Sequence, residues 1–287
     1  MNKLMLGTAQ FGERYGISNN GKVLNRKIAY EILNSARDNN IDYLDTAFAY
    51  KKSQVVLETL DISNMKIVSK LSHEIFNNLS CEQIIEIIEN SLINLNIDSY
   101  YGILLHTPLD LLKNNSKKIK QTLINIKNKN LAKKIGVSVY DPSELDRIFN
   151  EISIDIVQAP LSILDNRFIN SGWLDKLYNL DIEFHARSIF LQGMLLFNKN
   201  NRPQKFKKYD LIWNIWDDWL ESNKIDPLSG CFRYLLDNDK INKIIFGVQD
   251  SIQLQEIMKI SNKPLIKFPK WPKIIDEKLL NPSHWKK

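Results

Sequence analysis

Four side chains with proton chemistry stand at the ends of three short apolar runs. Ile41-Asp-Tyr-Leu-Asp-Thr-Ala-Phe-Ala-Tyr50 carries a carboxylate at Asp45 and a phenol at Tyr50. Ile67-Val-Ser-Lys70 ends in an amine, and Tyr101-Gly-Ile-Leu-Leu-His106 in an imidazole. A phenol titrates near ~10, too high to give up its proton readily at neutral pH. A neighbouring ammonium favours the phenolate and lowers that value, and a carboxylate can hold the ammonium by a charge-assisted hydrogen bond. Brought together, the four make a proton-transfer device. They meet if the three runs are parallel strands of one barrel, whose carboxyl ends converge on a single mouth.

The elements needed for such a barrel are legible along the chain. Strand-like runs at Lys3–Gly7, Ile41–Asp45, Lys66–Lys70, Tyr100–Leu105, Lys134–Ser138, Ile154–Gln158, Ile182–Arg187 and Lys243–Gly247 alternate with helix-like segments. The helical spacing is clear where Ala29, Ile32, Leu33 and Ala36 share one face, and again for Ile84, Ile85, Ile88, Leu92 and Leu95. Ser80 with Gln83 has the pattern of a capping box. Asp141-Pro142 reads as a cap and first turn, and Ser53 as the N-cap of a helix running to Leu60. The segment between Lys70 and Ser80 reads as a loop, and 110–129 as one helix. Eight strands alternating with helices predict an α/β fold, a (β/α)8 barrel forming a single domain over 1–287. The tail 264–287, rich in Pro, Trp and Lys, is expected to pack across the barrel.

Composition narrows the class. With 287 residues, 44% hydrophobic and 25% charged, the chain has an ordinary soluble make-up and enough length for a large core. Cys81 and Cys231 show no CxxC spacing and read as reduced thiols of a cytoplasmic protein. The opening apolar run is too short for a signal peptide, and no run approaches the ~20 residues of a membrane span. The net charge of +6 gathers on Lys117, Lys118, Lys120, Lys127 and Lys129 of one helix and on the loop Lys199 to Lys208. Solvated faces account for both, so nucleic acid is not an expected partner; a phosphate-bearing small molecule facing the loop Lys199 to Lys208 stays open as a second reading. His73, His185 and His284 have no metal-ligand spacing, and no metal site is expected.

Taken in order, Asp45-Thr-Ala with Tyr50, Lys70, His106-Thr-Pro, Ile135-Gly-Val-Ser138, Gln158 and Gly247-Val-Gln-Asp-Ser-Ile-Gln-Leu-Gln-Glu256 resemble the motifs of the aldo-keto reductases, over nearly the whole chain. The resemblance implies a (β/α)8 enzyme that reduces an aldehyde or ketone with a nicotinamide cofactor. Tyr50 would be the general acid, Lys70 and Asp45 its tuning pair, and His106 the residue that orients the carbonyl. The absence of a GxGxxG fingerprint agrees with cofactor binding outside a Rossmann fold. Gly7, Thr8 and Asp45 would contact the cofactor, and Ser138 and Gln158 would hold its carboxamide. Ser188, Phe190 and Gln192 would wrap the pyrophosphate, and Gly247, Gln249, Gln253 and Glu256 would hold the adenosine. NADP(H) is favoured and NAD(H) is possible.

Three positions depart from the family pattern. Val139 replaces an Asn that would reach the carboxamide. Arg187 stands where many members stack an aromatic ring on the nicotinamide, and its guanidinium could lie flat on that ring or serve the pyrophosphate or an anionic substrate. No obvious cation for a 2′-phosphate occurs in Gly247-Val-Gln-Asp-Ser, where Asp250 would repel one. The Ala186–Gly193 loop resembles a small bacterial subgroup associated with surface-carbohydrate metabolism, which suggests a sugar or sugar-nucleotide carbonyl as the small-molecule partner. The chain is expected to be a monomer or small homo-oligomer. Two other readings stay open on the same fold: a cofactor-sensing regulatory subunit, and an isomerase or lyase with tightly held cofactor.

Overall fold

A computed structural model describes residues 3–13, 23–260, 267–273 and 275–285, without the Ser283 side chain. Eight parallel strands close into a barrel. They are β1 (Leu4–Gly7), β2 (Tyr43–Asp45), β3 (Lys66–Leu71), β4 (Tyr100–Leu105), β5 (Ala132–Ser138), β6 (Ile156–Pro160), β7 (Glu183–Arg187) and β8 (Lys243–Phe246). Closure comes from β1 pairing with both β2 (Leu6 beside Leu44) and β8 (Leu4 beside Ile244). The sequence expectation of a single (β/α)8 domain is met.

Two apolar layers follow from the alternation of side chains along each strand. Outward residues such as Leu6, Leu44, Ile67, Ile103 and Val157 pack under the helices in the main core. Inside the barrel, Met5, Val68, Leu104, Ile156 and Ile245 form a smaller cluster. A side chain at Gly136 has no room there: its Cβ would lie 2.0 Å from the Ile156 carbonyl oxygen. That close approach explains the glycine in Ile135-Gly-Val-Ser138.

Several helix starts behave as their sequences suggest. Ser80 accepts from the Gln83 amide, and the Gln83 side chain accepts from the Ser80 amide, completing the capping box of the helix Cys81–Leu95. Asp141 caps Pro142–Ile148, and Asp226 caps Pro227–Leu236. Ser53 does not cap. The chain turns immediately after β2, with the Tyr50 amide donating to the Ala47 carbonyl at 2.9 Å, so the helix Lys51–Leu57 begins earlier and Ser53 is buried inside it.

The stretch after β3 holds a helix, His73–Asn78, where the sequence suggested a loop. Phe76 is its one buried side chain, so no apolar stripe marks it. The single helix expected over 110–129 is divided into a tight turn, Pro108–Leu112, and the helix Ser116–Asn128. A second apolar cluster joins the Trp-rich helix Asp210–Asn223 to described parts of the tail, where Trp216 stacks on Trp219 at 5.3 Å and Trp271 donates to the Ile163 carbonyl. No helix among the described residues is long and apolar enough to cross a membrane.

Candidate active site

Asp45, Lys70 and His106 sit at or just beyond the carboxyl ends of β2, β3 and β4, and Tyr50 opens the helix that follows β2. Parallel pairing holds those ends level: the Phe48 amide reaches the Lys70 carbonyl at 3.1 Å, and the His106 amide reaches the Leu71 carbonyl at 2.9 Å. Lys70, only 2% exposed, donates to Asp45 Oδ1 at 2.7 Å and to the Thr46 carbonyl at 2.8 Å. The same Asp45 oxygen accepts from Gln158 Nε2 at 2.7 Å. The Lys70 ammonium lies 5.9 Å from the centre of the Tyr50 ring, and the rings of Tyr50 and His106 meet edge to face at 6.4 Å. The acid, phenol, amine and imidazole of the sequence are therefore one cluster.

The electrostatics of the cluster favour a labile lysine and a neutral imidazole. Burial pushes the Lys70 pKa down, Asp45 pulls it back up, and Arg187 lowers it further. Burial also pushes His106 down, to about 4, with Lys70 and Arg187 adding to the effect and Asp45 opposing it. A neutral imidazole keeps one N–H donor and one acceptor, which suits a residue that orients a carbonyl without adding charge.

These groups line the floor of a cavity of about 980 Å³. Its walls include Gly7, Ser138, Gln158, Arg187, Ser188, Phe190, Gln192, Gly247, Gln249, Gln253 and Glu256. Every site residue expected from the sequence reaches the cavity except Thr8. Thr8 is fully buried; its hydroxyl and amide donate to the Asp45 carbonyl at 3.0 and 2.9 Å, and it accepts from Ser53 Oγ at 3.0 Å. Its place is beneath the site, bracing Asp45, because a β-branched hydroxyl just past β1 finds its partners in the neighbouring strand end. Lining residues that the sequence did not single out include Gln10, Tyr140 and Trp285, and Lys205 of the basic loop joins them. Tyr140, an aromatic two residues past the end of β5, offered the one usable signal.

The residues fit a nicotinamide cofactor. Gln158 spends its donor on Asp45, and its own oxygen is buried without a partner next to Ser138, its strand neighbour. An orphaned acceptor inside a polar cavity calls for a donor, and a carboxamide supplies one. The loop beyond β7 carries Ser188, Leu191, Gln192 and Gly193 at positive φ. Non-glycine residues adopt that conformation at a cost, and such positions gather at ligand sites. At the far end, the Gln249 amide donates to the Gln253 side chain, and the Gln253 amide to Asp250, which fixes the start of the helix Ser251–Ile260.

The other histidines serve elsewhere. His73 pairs with Asp110 at 2.5 Å, and the fully buried His185 pairs with Glu183 at 3.0 Å inside the barrel. His284 lies in a short turn near the chain end. The described residues contain no group of three or more His, Cys, Asp or Glu placed to hold a metal.

A closed parallel barrel with a buried carboxylate–lysine pair, a phenol and an imidazole at its carboxyl mouth is the frame of a nicotinamide-dependent oxidoreductase without a Rossmann fold. The sequence matches the model of the aldo/keto reductase family over residues 3–268, and the chain belongs to that family. Its fold is similar to that of an aldo-keto reductase from Bacillus halodurans in its holo form, with TM-score 0.71 and 16% identity, covering 92% of this chain and 88% of that one. It is also similar to the glycerol dehydrogenase of Gluconobacter oxydans, with TM-score 0.69 and 18% identity, covering 93% and 88%. A search of curated proteins finds no match. Family membership implies nicotinamide-dependent carbonyl chemistry on a small molecule.

Proposed function

We propose that this protein reduces the carbonyl of an aldehyde or ketone to an alcohol, with Tyr50 as the proton donor. The observation that carries the reading is the buried 2.7 Å Lys70–Asp45 pair beside Tyr50 and His106 on the cavity floor. When bound, the nicotinamide supplies the hydride; the protein supplies position and electrostatics. Tyr50 protonates the carbonyl oxygen while Lys70 stabilises the phenolate left behind. His106, neutral, hydrogen-bonds the same oxygen and holds it over the phenol. Asp45 keeps Lys70 in place, and Gln158 keeps Asp45 in place.

Ser138 and the Gln158 oxygen would hold the carboxamide, and the Ser188–Gly193 loop the pyrophosphate. The segment Gly247–Glu256 brings Glu256 and no lysine or arginine to the cavity wall among the described residues. A carboxylate favours a ribose hydroxyl over a 2′-phosphate, which counts towards NAD(H) against the NADP(H) favoured from the sequence as a whole. A sugar carbonyl is the substrate class we carry from the Ala186–Gly193 loop, and Asn198 on the cavity wall is a candidate hydroxyl partner.

Tyr50→Phe tests the assignment. It is expected to cut kcat for a test aldehyde by about 10²–10⁴-fold, the range for a positioned general acid, while the Kd for reduced cofactor stays within about twofold, a change below ~0.5 kcal/mol. Retained turnover in the variant would remove Tyr50 from the mechanism. Measuring both cofactors with the wild type decides between NADH and NADPH.

A further inference from the structure

Three of the arginines packed below the surface of this protein face carboxylates, and a fourth, Arg37, donates to Asn34 Oδ1 at 3.3 Å. Arg167 meets Asp165 and Asp141 at 2.8 and 2.9 Å, Arg202 meets Asp217 at 2.5 Å, and Arg233 meets Asp237 at 3.4 Å. Arg187 is different. Its guanidinium donates to the Val139 carbonyl at 3.0 Å and to Ser188 Oγ at 3.3 Å, and lies 4.2 Å from the centre of the Tyr140 ring. Among the described residues it pairs with no carboxylate within 4.0 Å. Glu144 feels its charge but accepts instead from the Tyr140 amide.

The position of this uncompensated cation matters. Arg187 ends β7 beside Pro160 of β6, one pleat beyond the Gln158–His185 pair, and Ser138 of β5 pairs with Gln158. It shares one wall of the cavity with Ser138 and the orphaned Gln158 oxygen. Its field reaches the cavity floor, where it helps to lower both Lys70 and His106. The departure at Val139 belongs to the same arrangement: the apolar side chain is buried and its carbonyl anchors the guanidinium.

We propose that Arg187 discriminates between the oxidation states of the cofactor, its unpaired positive charge weakening binding of the oxidised, cationic nicotinamide relative to the neutral reduced ring. The inference rests on the reading above, in which Ser138 and Gln158 seat the carboxamide. Two like charges several ångströms apart in a partly desolvated site oppose each other strongly enough to change an equilibrium by about tenfold. An aromatic ring at the same place adds no such bias. The consequence is directional. Spent cofactor is expelled faster and competes less with fresh reduced cofactor, while hydride departure within the bound complex is made less favourable.

Isothermal titration of the purified protein with reduced cofactor, oxidised cofactor and ADP-ribose tests the proposal. ADP-ribose carries the pyrophosphate but no nicotinamide, and NAD and NADP forms are both run. The wild type should bind the reduced form about tenfold more tightly than the oxidised form. Arg187→Met should tighten the oxidised form by about that factor, leaving the reduced form and ADP-ribose within about twofold. Arg187→Gln, which can still donate to the Val139 carbonyl, should behave like the Met variant, and Arg187→Lys should keep the wild-type ratio. An unchanged ratio in both neutral variants overturns the proposal. So does equal weakening of all three ligands, which would make Arg187 a pyrophosphate grip. Failure of the wild type to bind any nicotinamide form would instead overturn the functional reading beneath it.

Discussion

The two walls of the cavity are built on opposite principles. On the β2–β4 side, charge is balanced within the protein: Lys70 has Asp45 and the Thr46 carbonyl, and Asp45 has Lys70 and Gln158. On the β5–β7 side, partners are left over: the Gln158 oxygen has none, Arg187 has no carboxylate among the described residues, and the following loop holds strained backbone. A balanced network keeps its geometry without a ligand, which is what proton transfer requires. An unbalanced one gains most when a ligand arrives. Gln158 joins the two, with its amide nitrogen on the catalytic side and its oxygen on the binding side.

The sharpest break in this comparison is Lys70→Met. It leaves Asp45 charged and buried with one remaining donor, and removing one partner of a buried pair costs about 3–5 kcal/mol. A melting temperature lower by on the order of 10 °C is expected, together with loss of turnover. Arg187→Met removes a cation that no carboxylate neutralises, so its melting temperature should stay within about 2 °C of the wild type. If the two variants melt alike, the division between a balanced and an unbalanced wall is wrong.

The same division explains what could be read from the sequence. Asp45 and Tyr50 lie five positions apart after one apolar run, and Lys70 and His106 are polar residues closing others. Local pattern alone puts such groups at a barrel mouth. The direction of the Gln158 amide depends on Asp45, 113 positions away, and the fold of Arg187 onto Val139 spans 48. Residue types and periodicity carry no information about which side-chain atom finds which distant partner. Thr8 shows the limit in reverse: the family resemblance made it a cofactor contact, and packing turned it towards the Asp45 carbonyl. Ser53 likewise has the chemistry of a cap, but the Ala47–Tyr50 turn starts the helix ahead of it.

A smaller effect separates the walls by pH. Burial holds the folded pKa of His106 at about 4, below the ordinary imidazole value of 6.5. The unfolded chain therefore binds the proton more readily, and stability falls as pH drops from about 6.5 towards 4. Above that window His106 contributes no pH dependence. After allowance for solvent screening, the loss is on the order of 1–2 kcal/mol. The fully buried His185 is also pushed down and adds to the same trend. The difference between wild-type and His106→Gln melting curves across pH 4–7 isolates the His106 share. Parallel curves would mean that His106 is not held neutral by this site.

The smallest expected effect belongs to the rim. Of the basic loop Lys199 to Lys208, Arg202 is already matched by Asp217, and Lys205 reaches the cavity wall. Lys199, Lys205, Lys207 and Lys208 are exposed, so each gains little from an anionic ligand in water. Replacing these four lysines with Gln should raise KM for a phosphorylated aldehyde by about two- to fivefold, the equivalent of ~0.4–1 kcal/mol for exposed charge pairs. For the unphosphorylated parent aldehyde KM should not move. Raising the ionic strength should shrink the wild-type preference by the same amount, because exposed charges are screened within about 10 Å. An equal change for both substrates would assign the loop to shape rather than charge, and Arg187 would then be the cavity's unmatched cation among the described residues.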